Sequence, residues 1–548
     1  MRNLLITVMI FLIFVSLELA ADFTLKDPAP PFPETDQAPL TLILAGGTIY
    51  SGDARQGVAA DVGILDDHIV MIGNLSAHSA ELRLDVSGLA VTPGFIDIHS
   101  HAVRSKREES GIFLWPDAEN YIRQGVTTVI GGPDGSSEYP VSILLADLEA
   151  APAAVNFGTF VGHNTVRELA MGRENRAPTV QELKFMRDMV EIAMDEGAFG
   201  LSSGLKYIPG AYSSTGEVIA LARVAGRHGG IYITHMREEG QGLIDSVAET
   251  IRIGEEGGLP AQITHHKAMG VKMWGRSNET LAMVNAANAR GLDISIDQYP
   301  YSASSTGLRV LFPAWGMAGD EKERMARFQD PETRAAIVAG IVDNLKFDRG
   351  GNDPSRVAIA ECSWDTSLNG RNLAEILAQR GMEVTIENAA ELVLIMEESG
   401  GCSAVYHAMS EEDVIRIMQH PTAMFETDGD LVQPGVGFPH PRTYGSFPRI
   451  LGRYVRELEA LTLEEAVRKM TSAPADWLGQ SDRGRLAVDM VADITVFDAD
   501  RITDRAEFTD PHHYADGVVH VWVGGTAVLQ AGEMTGALPG HFLERQRR

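Results

Sequence analysis

Gly94-Phe95-Ile96-Asp97-Ile98-His99-Ser100-His101 is the stretch that decides the fold of this chain. It is a short apolar run that ends in two histidines. Because side chains alternate along a β-strand, His99 and His101 point to the same side and can bind one metal ion together. An isolated pair of this kind is more often structural, so the prediction depends on what the neighbouring strands carry.

Further strand-like apolar runs follow along the chain and alternate with helical stretches. This alternation predicts parallel βα units, and eight such units predict an α/β fold of the closed (β/α)8 type, a TIM barrel. The eight runs are residues 91–99, 126–131, 154–163, 198–203, 230–235, 261–265, 292–299 and 423–428. Helical patterns between them are clearest at residues 179–196, 217–228 and 242–256.

The barrel is expected to span residues 91–480, with other elements around it. Short strands and turns in residues 40–90 have the same alternating texture as residues 481–548, which predicts one small β-sandwich built from both segments. About 120 residues lie between the seventh and eighth runs, far more than an ordinary loop, so residues 310–415 or so are predicted to form an inserted subdomain.

The N-terminal residues predict the compartment. Arg2 precedes an apolar run over residues 4–15, and Ala20-Ala21 follow, so residues 1–21 have the order of a secretory signal peptide. The run is shorter than the ~20 residues that span a bilayer. Residues 22–39 read as a proline-rich tether. The mature protein is therefore expected to be secreted or periplasmic, with no stable membrane span.

Composition excludes one class of partner and leaves one question open. The chain has 548 residues, 44% of them hydrophobic, which is enough for a large core, and a formal net charge of −29, which disfavours nucleic acid as a partner. A small-molecule substrate is expected instead, and a homo-oligomer is possible from the sequence. The two cysteines, Cys362 and Cys402, either pair or stay as buried thiols, and the sequence does not decide.

Three more candidate ligands stand at the ends of later predicted strands. Thr234-His235-Met236-Arg237 and Thr264-His265-His266-Lys267 each carry a histidine there, and Thr427-Asp428-Gly429 carries a carboxylate. Active sites of TIM barrels form at the C-terminal strand ends, so these groups are predicted to converge with His99 and His101. His266 alternates away from His265 and is the weaker candidate of the two.

This set of motifs resembles the amidohydrolase superfamily and, within it, the N-acyl-D-amino-acid deacylases, or D-aminoacylases. The resemblance covers roughly residues 40–540 and implies a zinc-dependent TIM barrel that hydrolyses an amide bond next to a D-amino acid. The motifs that carry it are Pro93-Gly94-Phe95-Ile96-Asp97 with the two histidines, Gly197-Ala198-Phe199-Gly200-Leu201-Ser202-Ser203-Gly204-Leu205, Thr234-His235-Met236-Arg237, His265-His266-Lys267, Asp297-Gln298-Tyr299-Pro300-Tyr301, and His440-Pro441-Arg442 with Phe447-Pro448-Arg449.

The resemblance also implies roles for individual residues. His99 and His101 would ligate one metal position, and His235 and His265 the other. Asp428 would be the catalytic carboxylate and a further metal ligand. Contacts to the substrate are implied for the following side chains: Lys267, Tyr299 and Ser305, with Arg237 as a further candidate for the substrate carboxylate or for a structural ion pair.

One departure from the family pattern affects the expected metal count. The family places a metal-bridging cysteine in a Gly-Asn-Cys-Gly context after the second strand, and this chain reads Gly131-Gly132-Pro133-Asp134-Gly135. Asp134 is then either a bridging ligand or a local turn residue. A carboxylated Lys206 is another possible bridge, and His163 is a candidate for substrate binding. One or two zinc ions are expected.

The predicted activity is hydrolysis of N-acyl-D-amino acids, or of dipeptides with a C-terminal D-residue, by metal-activated water with Asp428 as general acid and base. A dipeptidase or cyclic-amide hydrolase on the same barrel is the first alternative. A non-catalytic binding protein is the second, disfavoured because four histidines and Asp428 are all present. The preferred acyl group and amino-acid side chain are not readable from the sequence.

Overall fold

The computed structural model describes residues 39–103 and 111–546. The predicted signal peptide and nearly all of the predicted tether lie outside the described residues. Within the described ranges, no helix has both the length and the apolar character needed to cross a membrane.

The described residues form 21 strands, and the barrel strands among them occur where the apolar runs predicted them. The strands are β1 (Leu40–Ile49), β2 (Val58–Leu65), β3 (His68–Gly73), β4 (Ala80–Asp85), β5 (Ala90–Pro93), β6 (Phe95–Asp97), β7 (Val126–Gly131), β8 (Asn156–Thr159), β9 (Val161–Gly162), β10 (Gly200–Gly204), β11 (Ile231–His235), β12 (Ala261–Ile263), β13 (Ile294–Gln298), β14 (Ser304–Gly307), β15 (Val357–Glu361), β16 (Ser403–Tyr406), β17 (Ala423–Phe425), β18 (Ile494–Phe497), β19 (Val518–Val523), β20 (Thr526–Gln530) and β21 (Glu533–Met534). Strands β6 to β13 and β17 carry the barrel, and their side chains are buried on both faces, as expected for strands that read as continuous apolar runs.

The barrel is built from two parallel arcs of strands. One arc has the order β6-β7-β8 and the other β9-β10-β11-β12-β13-β17, with β8 and β9 consecutive in the chain. Backbone hydrogen bonds from Asp428 N to His99 O and from His101 N to Gly429 O, 3.0 and 2.8 Å long, join the last strand to the first. The ends that carry these residues therefore meet at one mouth of the barrel.

Helices follow most of the barrel strands. They are α1 (Gly111–Leu114), α2 (Glu119–Ile122), α3 (Val141–Ala150), α4 (His163–Met171), α5 (Val180–Asp195), α6 (Thr215–Arg227), α7 (Leu243–Gly257), α8 (Ser277–Ala289), α9 (Glu321–Gln329), α10 (Pro331–Phe347), α11 (Leu373–Gln379), α12 (Ile386–Glu398), α13 (Glu411–Met418), α14 (Arg442–Arg449), a π-helix (Ile450–Glu457), α15 (Leu463–Met470) and α16 (Ser472–Leu478). Helix α5 opens with a capping box, since the Thr179 side chain accepts from Glu182 N and the Glu182 side chain accepts from Thr179 N.

Strands from both ends of the described chain form one nine-stranded sheet. Its order is β21-β20-β19-β18-β5-β1-β2-β3, with β4 paired to β1, so β5 and β18 join the N-terminal and C-terminal segments directly. Asp493, just before β18, accepts hydrogen bonds from Asn156 Nδ2 (3.1 Å) and Arg483 Nη1 (2.6 Å). Because Asn156 begins β8, this cluster fixes the nine-stranded sheet to the barrel.

The insertion between β13 and β17 is a folded unit with its own small sheet. Its three strands have the order β14-β16-β15, and helices α9 to α12 pack around them. The insertion already includes β14 at Ser304, a few residues before the predicted start, because β14 pairs with β16. Cys362 and Cys402 form a disulfide within it, which settles the question that the sequence left open.

Candidate metal centre at the barrel mouth

Two groups of possible metal ligands lie side by side at the barrel mouth and share one residue. The first group is His99, His101, Asp134 and Asp428, and the second is Asp134, His235 and His265. In each group the candidate ligand atoms all lie within 4.8 Å of one another. All of these residues are buried except His101, whose side chain is 29% exposed.

Asp134 connects the two groups through short distances. Its Oδ1 lies 3.6 Å from His99 Nε2, 3.8 Å from His235 Nδ1 and 3.4 Å from His265 Nε2, and its Oδ2 lies 3.7 Å from His101 Nε2. Oδ1 is buried and has no hydrogen-bond partner in the part of the chain that the structure describes. The carboxylate therefore faces the histidines, and the turn at residues 132–135 gives it that orientation.

The backbone around Asp134 is unusual. Asp134 itself has φ +55°, a left-handed conformation that non-glycine residues rarely adopt, and Gly132 and Gly135 also have positive φ. A side chain at Gly132 would collide with the Phe160 carbonyl, and one at Gly135 with Asn164. His265 and Asp428 are left-handed as well, with φ +35° and +46°. Strained backbone of this kind concentrates at functional sites.

Asp97 braces the backbone that carries the first group. One of its oxygens accepts from His99 N at 3.3 Å and from Thr427 N at 3.0 Å, and the other accepts from Thr427 Oγ1 at 2.5 Å. Asp297 does the same for the second group by accepting from His265 N. Each carboxylate lies beneath the mouth and fixes the strand end next to a candidate ligand.

Asp428 is held between a histidine and an arginine. Its Oδ1 lies 3.0 Å from His101 Nε2, and its Oδ2 lies 2.7 Å from Arg442 Nη1. Burial alone would raise the pKa of Asp428, but Arg442 and then His101 hold that pKa well below its ordinary value. The Arg442 guanidinium also lies 4.7 Å from the centre of the Tyr299 ring. Asp428 is therefore ionised at neutral pH.

The histidine nitrogens that face the mouth suit a metal ion. Among the described residues, both ring nitrogens of His99, both of His235 and Nε2 of His265 are buried without a hydrogen-bond partner. Burial lowers the pKa of His99 to about 3, although Asp134 and Asp428 act against it, and the pKa of His235 also falls to about 3. Neutral imidazoles such as these two keep a lone pair for a metal. Burial and Lys267 act to lower the pKa of His265, but Glu239 and Asp134 outweigh them and raise it to about 9, so a metal ion must displace that proton. Four imidazoles with two carboxylates form a donor set that zinc accepts.

Two of the predicted substrate residues lie beside this centre. Lys267 Nζ lies 2.6 Å from His265 Nδ1 and 5.8 Å from the centre of the Tyr299 ring. Tyr299 is fully buried between Lys267 and Arg442. Ser305 is in β14, and its carbonyl oxygen accepts from Arg442 Nη2 at 3.4 Å. The insertion thus reaches the barrel mouth through this strand.

Other candidates make pairings of their own. Arg237 makes a bidentate ion pair with Glu249, with both distances between 2.9 and 3.0 Å. His163 is fully buried, and its Nε2 lies 3.0 Å from Glu217 Oε1. Substrate binding by Arg237 and His163 stays a prediction.

The two other lysine and histidine candidates also have partners. Lys206 Nζ donates to both oxygens of Glu238, at 2.9 and 3.0 Å, and to Asp348. His266 Nε2 lies 2.8 Å from Thr280 Oγ1, away from His265 as the strand alternation predicted.

Glu239 and Arg349 are neighbours of the site that the sequence did not indicate. Glu239 is 1% exposed and contacts His235, His265 and Lys267. Arg349 Nη2 lies 3.1 Å from Glu239 Oε2, from a position 110 residues away in the insertion. The only local signal is that Glu239 lies four residues after His235, just beyond the Thr234–Arg237 motif. A glutamate four residues after a histidine is too common to identify it.

Comparison with known proteins agrees with this geometry. Residues 84–529 match the profile described as "Amidohydrolase family". A D-aminoacylase from Alcaligenes xylosoxydans xylosoxydans is 38% identical over 535 residues, which cover 93% of this chain and 99% of the relative.

Two solved structures are similar over nearly the whole chain. An N-acyl-D-glutamate deacylase from Bordetella bronchiseptica, complexed with zinc and a phosphonate that mimics the tetrahedral intermediate, is 33% identical with a TM-score of 0.79, covering 93% of this chain and 100% of that one. A D-aminoacylase described by its binuclear metal centre is 36% identical with a TM-score of 0.77 and the same coverage.

Proposed function

The chain belongs to the amidohydrolase family, and we propose that it is a zinc-dependent hydrolase that cleaves the amide bond of N-acyl-D-amino acids. The observation that carries the proposal is the shared position of Asp134, which faces three histidines of two adjoining ligand groups. The D-configuration of the substrate is supported by relatives at 32–38% identity, each named as a D-aminoacylase or an N-acyl-D-amino-acid deacylase.

The candidate ligands at the barrel mouth divide into two sets, one for each zinc ion. His99, His101 and Asp428 would hold one zinc ion, and His235 with His265 would hold a second, with Asp134 between them. Asp134 thus replaces the cysteine of the family pattern with a carboxylate, which also binds zinc. When bound, zinc lowers the pKa of water to about 7 and polarises a carbonyl oxygen.

Asp428 is proposed as the group that moves the proton. Support for this role comes from its charge and its place: it is ionised and lies beside His101, one of the proposed zinc ligands, so it is available to accept a proton there. Asp428 accepts a proton as the water oxygen bonds to that carbon, and returns it to the nitrogen as the C–N bond breaks. The products are a carboxylic acid and the free D-amino acid.

We assign binding of the substrate carboxylate to a group of four side chains beside the proposed zinc ligands, here called the cationic wall: Lys267, Arg442, Tyr299 and Ser305. Lys267 Nζ and the Arg442 guanidinium lie 5.8 and 4.7 Å from the centre of the Tyr299 ring, so two buried cationic side chains approach the same phenol. Cationic donors and a phenol suit a carboxylate. Ser305 approaches this wall on β14 and is the fourth member.

A substrate panel tests the proposed function. The zinc-loaded enzyme is given N-acetyl-D-amino acids, their L-enantiomers, L,D-dipeptides and a cyclic amide, and release of free amine is measured. We expect hydrolysis of the N-acyl-D-amino acids with little turnover of the L-enantiomers. Preferred turnover of dipeptides or the cyclic amide contradicts the proposed substrate, and no turnover of any amide contradicts the hydrolase itself.

The proposal includes a secreted or periplasmic location. It is supported by the charged, apolar and small-residue order of residues 1–21 and by the disulfide between Cys362 and Cys402, because disulfides persist mainly in oxidising compartments. N-terminal sequencing of protein purified from the native cell envelope or medium tests it. A mature chain that starts near Ala21 or Asp22 supports export, and a full-length chain in the cytoplasm contradicts it.

A further inference from the structure

A single buried carboxylate, Glu239, lies behind both histidines of the second ligand group. Its Oε2 lies 3.5 Å from His235 Nε2, and its Oε1 lies 3.2 Å from His265 Nδ1. These are the ring nitrogens that point away from Asp134, because Asp134 Oδ1 faces His235 Nδ1 and His265 Nε2. Each imidazole therefore stands between two carboxylates.

Glu239 is itself fixed from two sides. Lys267 Nζ donates to its Oε1 at 2.5 Å, and Arg349 Nη2 donates to its Oε2 at 3.1 Å. Glu239 and Arg349 are both 1% exposed and Lys267 is 3% exposed, so water has no access to screen these charges. The carboxylate cannot rotate without losing an ion pair, which gives it the rigidity that an orienting group needs.

We propose that Glu239 is the positioning residue of the second zinc site. Its negative charge lies 3.5 Å from the outward Nε2 of His235 and favours the tautomer with the proton on that nitrogen, so that Nδ1 keeps its lone pair toward the metal. At His265 it holds the outward Nδ1 together with Lys267, whose Nζ lies 2.6 Å from that nitrogen. A histidine ligand commonly donates its other N–H to a carboxylate, which fixes the tautomer and the ring orientation. In this chain one carboxylate serves two ligands, and the insertion supplies the arginine that fixes it.

This inference rests on the proposed function, since it takes His235 and His265 as zinc ligands. Its test therefore measures zinc binding in the absence of substrate. If no amide is hydrolysed but Glu239 controls zinc affinity, only the proposed activity fails. If amides are hydrolysed normally and Glu239 does not affect zinc, only the inference fails.

The test compares Glu239→Gln with a matched control, Glu217→Gln. Glu217 is 4% exposed and also lies between a buried histidine and a buried arginine, His163 at 3.0 Å and Arg167 at 2.6 Å. Neither partner of Glu217 belongs to a ligand group. Both variants remove one buried negative charge that faces a histidine and an arginine, and only Glu239 also faces a second histidine and a lysine.

Zinc affinity is measured by competition with a chromophoric chelator, and the cobalt-substituted proteins are compared by visible absorption. We expect Glu239→Gln to weaken one zinc by about 10- to 100-fold and to change the cobalt bands. Glu217→Gln should keep both properties and lose only thermal stability. Wild-type zinc affinity and cobalt bands in Glu239→Gln, or equal losses in both variants, overturn the proposal.

A second variant covers the case in which Glu239→Gln does not fold. Glu239→Asp keeps the negative charge between Lys267 and Arg349 but is shorter by one methylene, so it cannot reach both histidines. Weakened binding of one zinc ion in the folded Glu239→Asp protein supports the proposal. Wild-type affinity for both ions overturns it.

Discussion

Two buried aspartate–arginine pairs in this protein have similar distances and different surroundings. Asp493 pairs with Arg483 at 2.6 Å where the nine-stranded sheet meets the barrel, and Asp428 pairs with Arg442 at 2.7 Å at the barrel mouth. Asp493 also accepts from Asn156 Nδ2 and Gly524 N, so its oxygens are satisfied by fixed donors. Asp428 has left-handed backbone and shares its mouth with other buried carboxylates.

The difference separates a structural carboxylate from a functional one. A buried ion pair whose partners are all satisfied holds two parts of a fold together. A carboxylate held in strained backbone among several histidines and other carboxylates is costly for stability, and such groups persist where they perform chemistry. Burial and ion pairing alone do not distinguish the two.

Removal of metal should have the largest effect on activity, because the proposed role of Asp428 depends on a metal at the barrel mouth. Treatment with a chelator is expected to abolish hydrolysis, because no side chain at the mouth can activate water at neutral pH by itself, and added zinc should restore it. Activity and metal content are measured on the same samples. Full activity in a preparation shown to be free of metal would contradict the mechanism and leave Asp428 without its proposed task.

Exchange of each aspartate for asparagine tests the comparison directly. Asp428→Asn is expected to lower kcat by about 10²- to 10⁴-fold with a much smaller change in KM, because the proton carrier is lost. Its melting temperature should change less than that of Asp493→Asn, since burial and the Asp428 charge together raise the pKa values of the buried carboxyls of Glu426 and Asp297, and the substitution removes the electrostatic part of that cost.

Asp493→Asn serves as the control in the same assays. It should keep near-normal kcat and lose about 3 kcal/mol of stability, the loss typical of a broken buried pair. The reverse outcome, a stable but inactive Asp493→Asn and an active Asp428→Asn, would remove Asp428 from the mechanism.

Asp134 extends the comparison to two aspartates in left-handed turns. Asp134→Ala is expected to weaken zinc binding by about 10-fold or more, because it faces histidines of both groups. Asp66→Ala is the matched control, since Asp66 has φ +53° against +55° for Asp134 but lies in an exposed turn. Metal content by mass spectrometry decides between the roles, and unchanged content in Asp134→Ala would make it a turn residue only.

The disulfide gives the smallest expected effect on activity. Replacing Cys362 and Cys402 by serine opens a loop with a sequence separation of 40 residues and should destabilise the insertion by about 2 to 4 kcal/mol. The rate at saturating substrate should stay near wild type at 25 °C, because neither cysteine lies in a ligand group. Thermal unfolding and kcat are measured on the same variant. A large loss of kcat with unchanged stability would contradict this prediction and show that the disulfide holds residues of the active site in place.

The barrel and the strand ends were predictable because their signals are local. Each buried parallel strand is a short apolar run, and the barrel rule then places His235, His265 and Asp428 at one mouth although they are far apart in sequence. The positions of these side chains in the structure follow from that rule. The orientation of Asp134 toward the histidines did not follow from that rule. A Pro-Asp-Gly turn has the same sequence whether or not its carboxylate faces other candidate metal ligands.

The supporting residues were not predictable for a different reason. Arg349 reaches Glu239 across 110 residues, and Arg442 pairs with Asp428 through a helix that follows the last barrel strand. Such pairs leave no periodic pattern in the chain. His163 was a candidate for substrate binding because it ends a strand. The structure shows its pairing with Glu217, and its role stays a prediction.

The pairing of β5 with β18 has a consequence for synthesis of the protein. Strand β5 ends at Pro93 and its partner begins at Ile494, so about 400 residues must be added before the pair can form. At roughly 5 to 20 residues per second, the growing polypeptide waits roughly 20 to 80 s with that strand edge open. An open edge is a template for association with other chains. Chaperones that shield residues 90–93 until residues 494–497 are available should therefore raise the yield of folded protein.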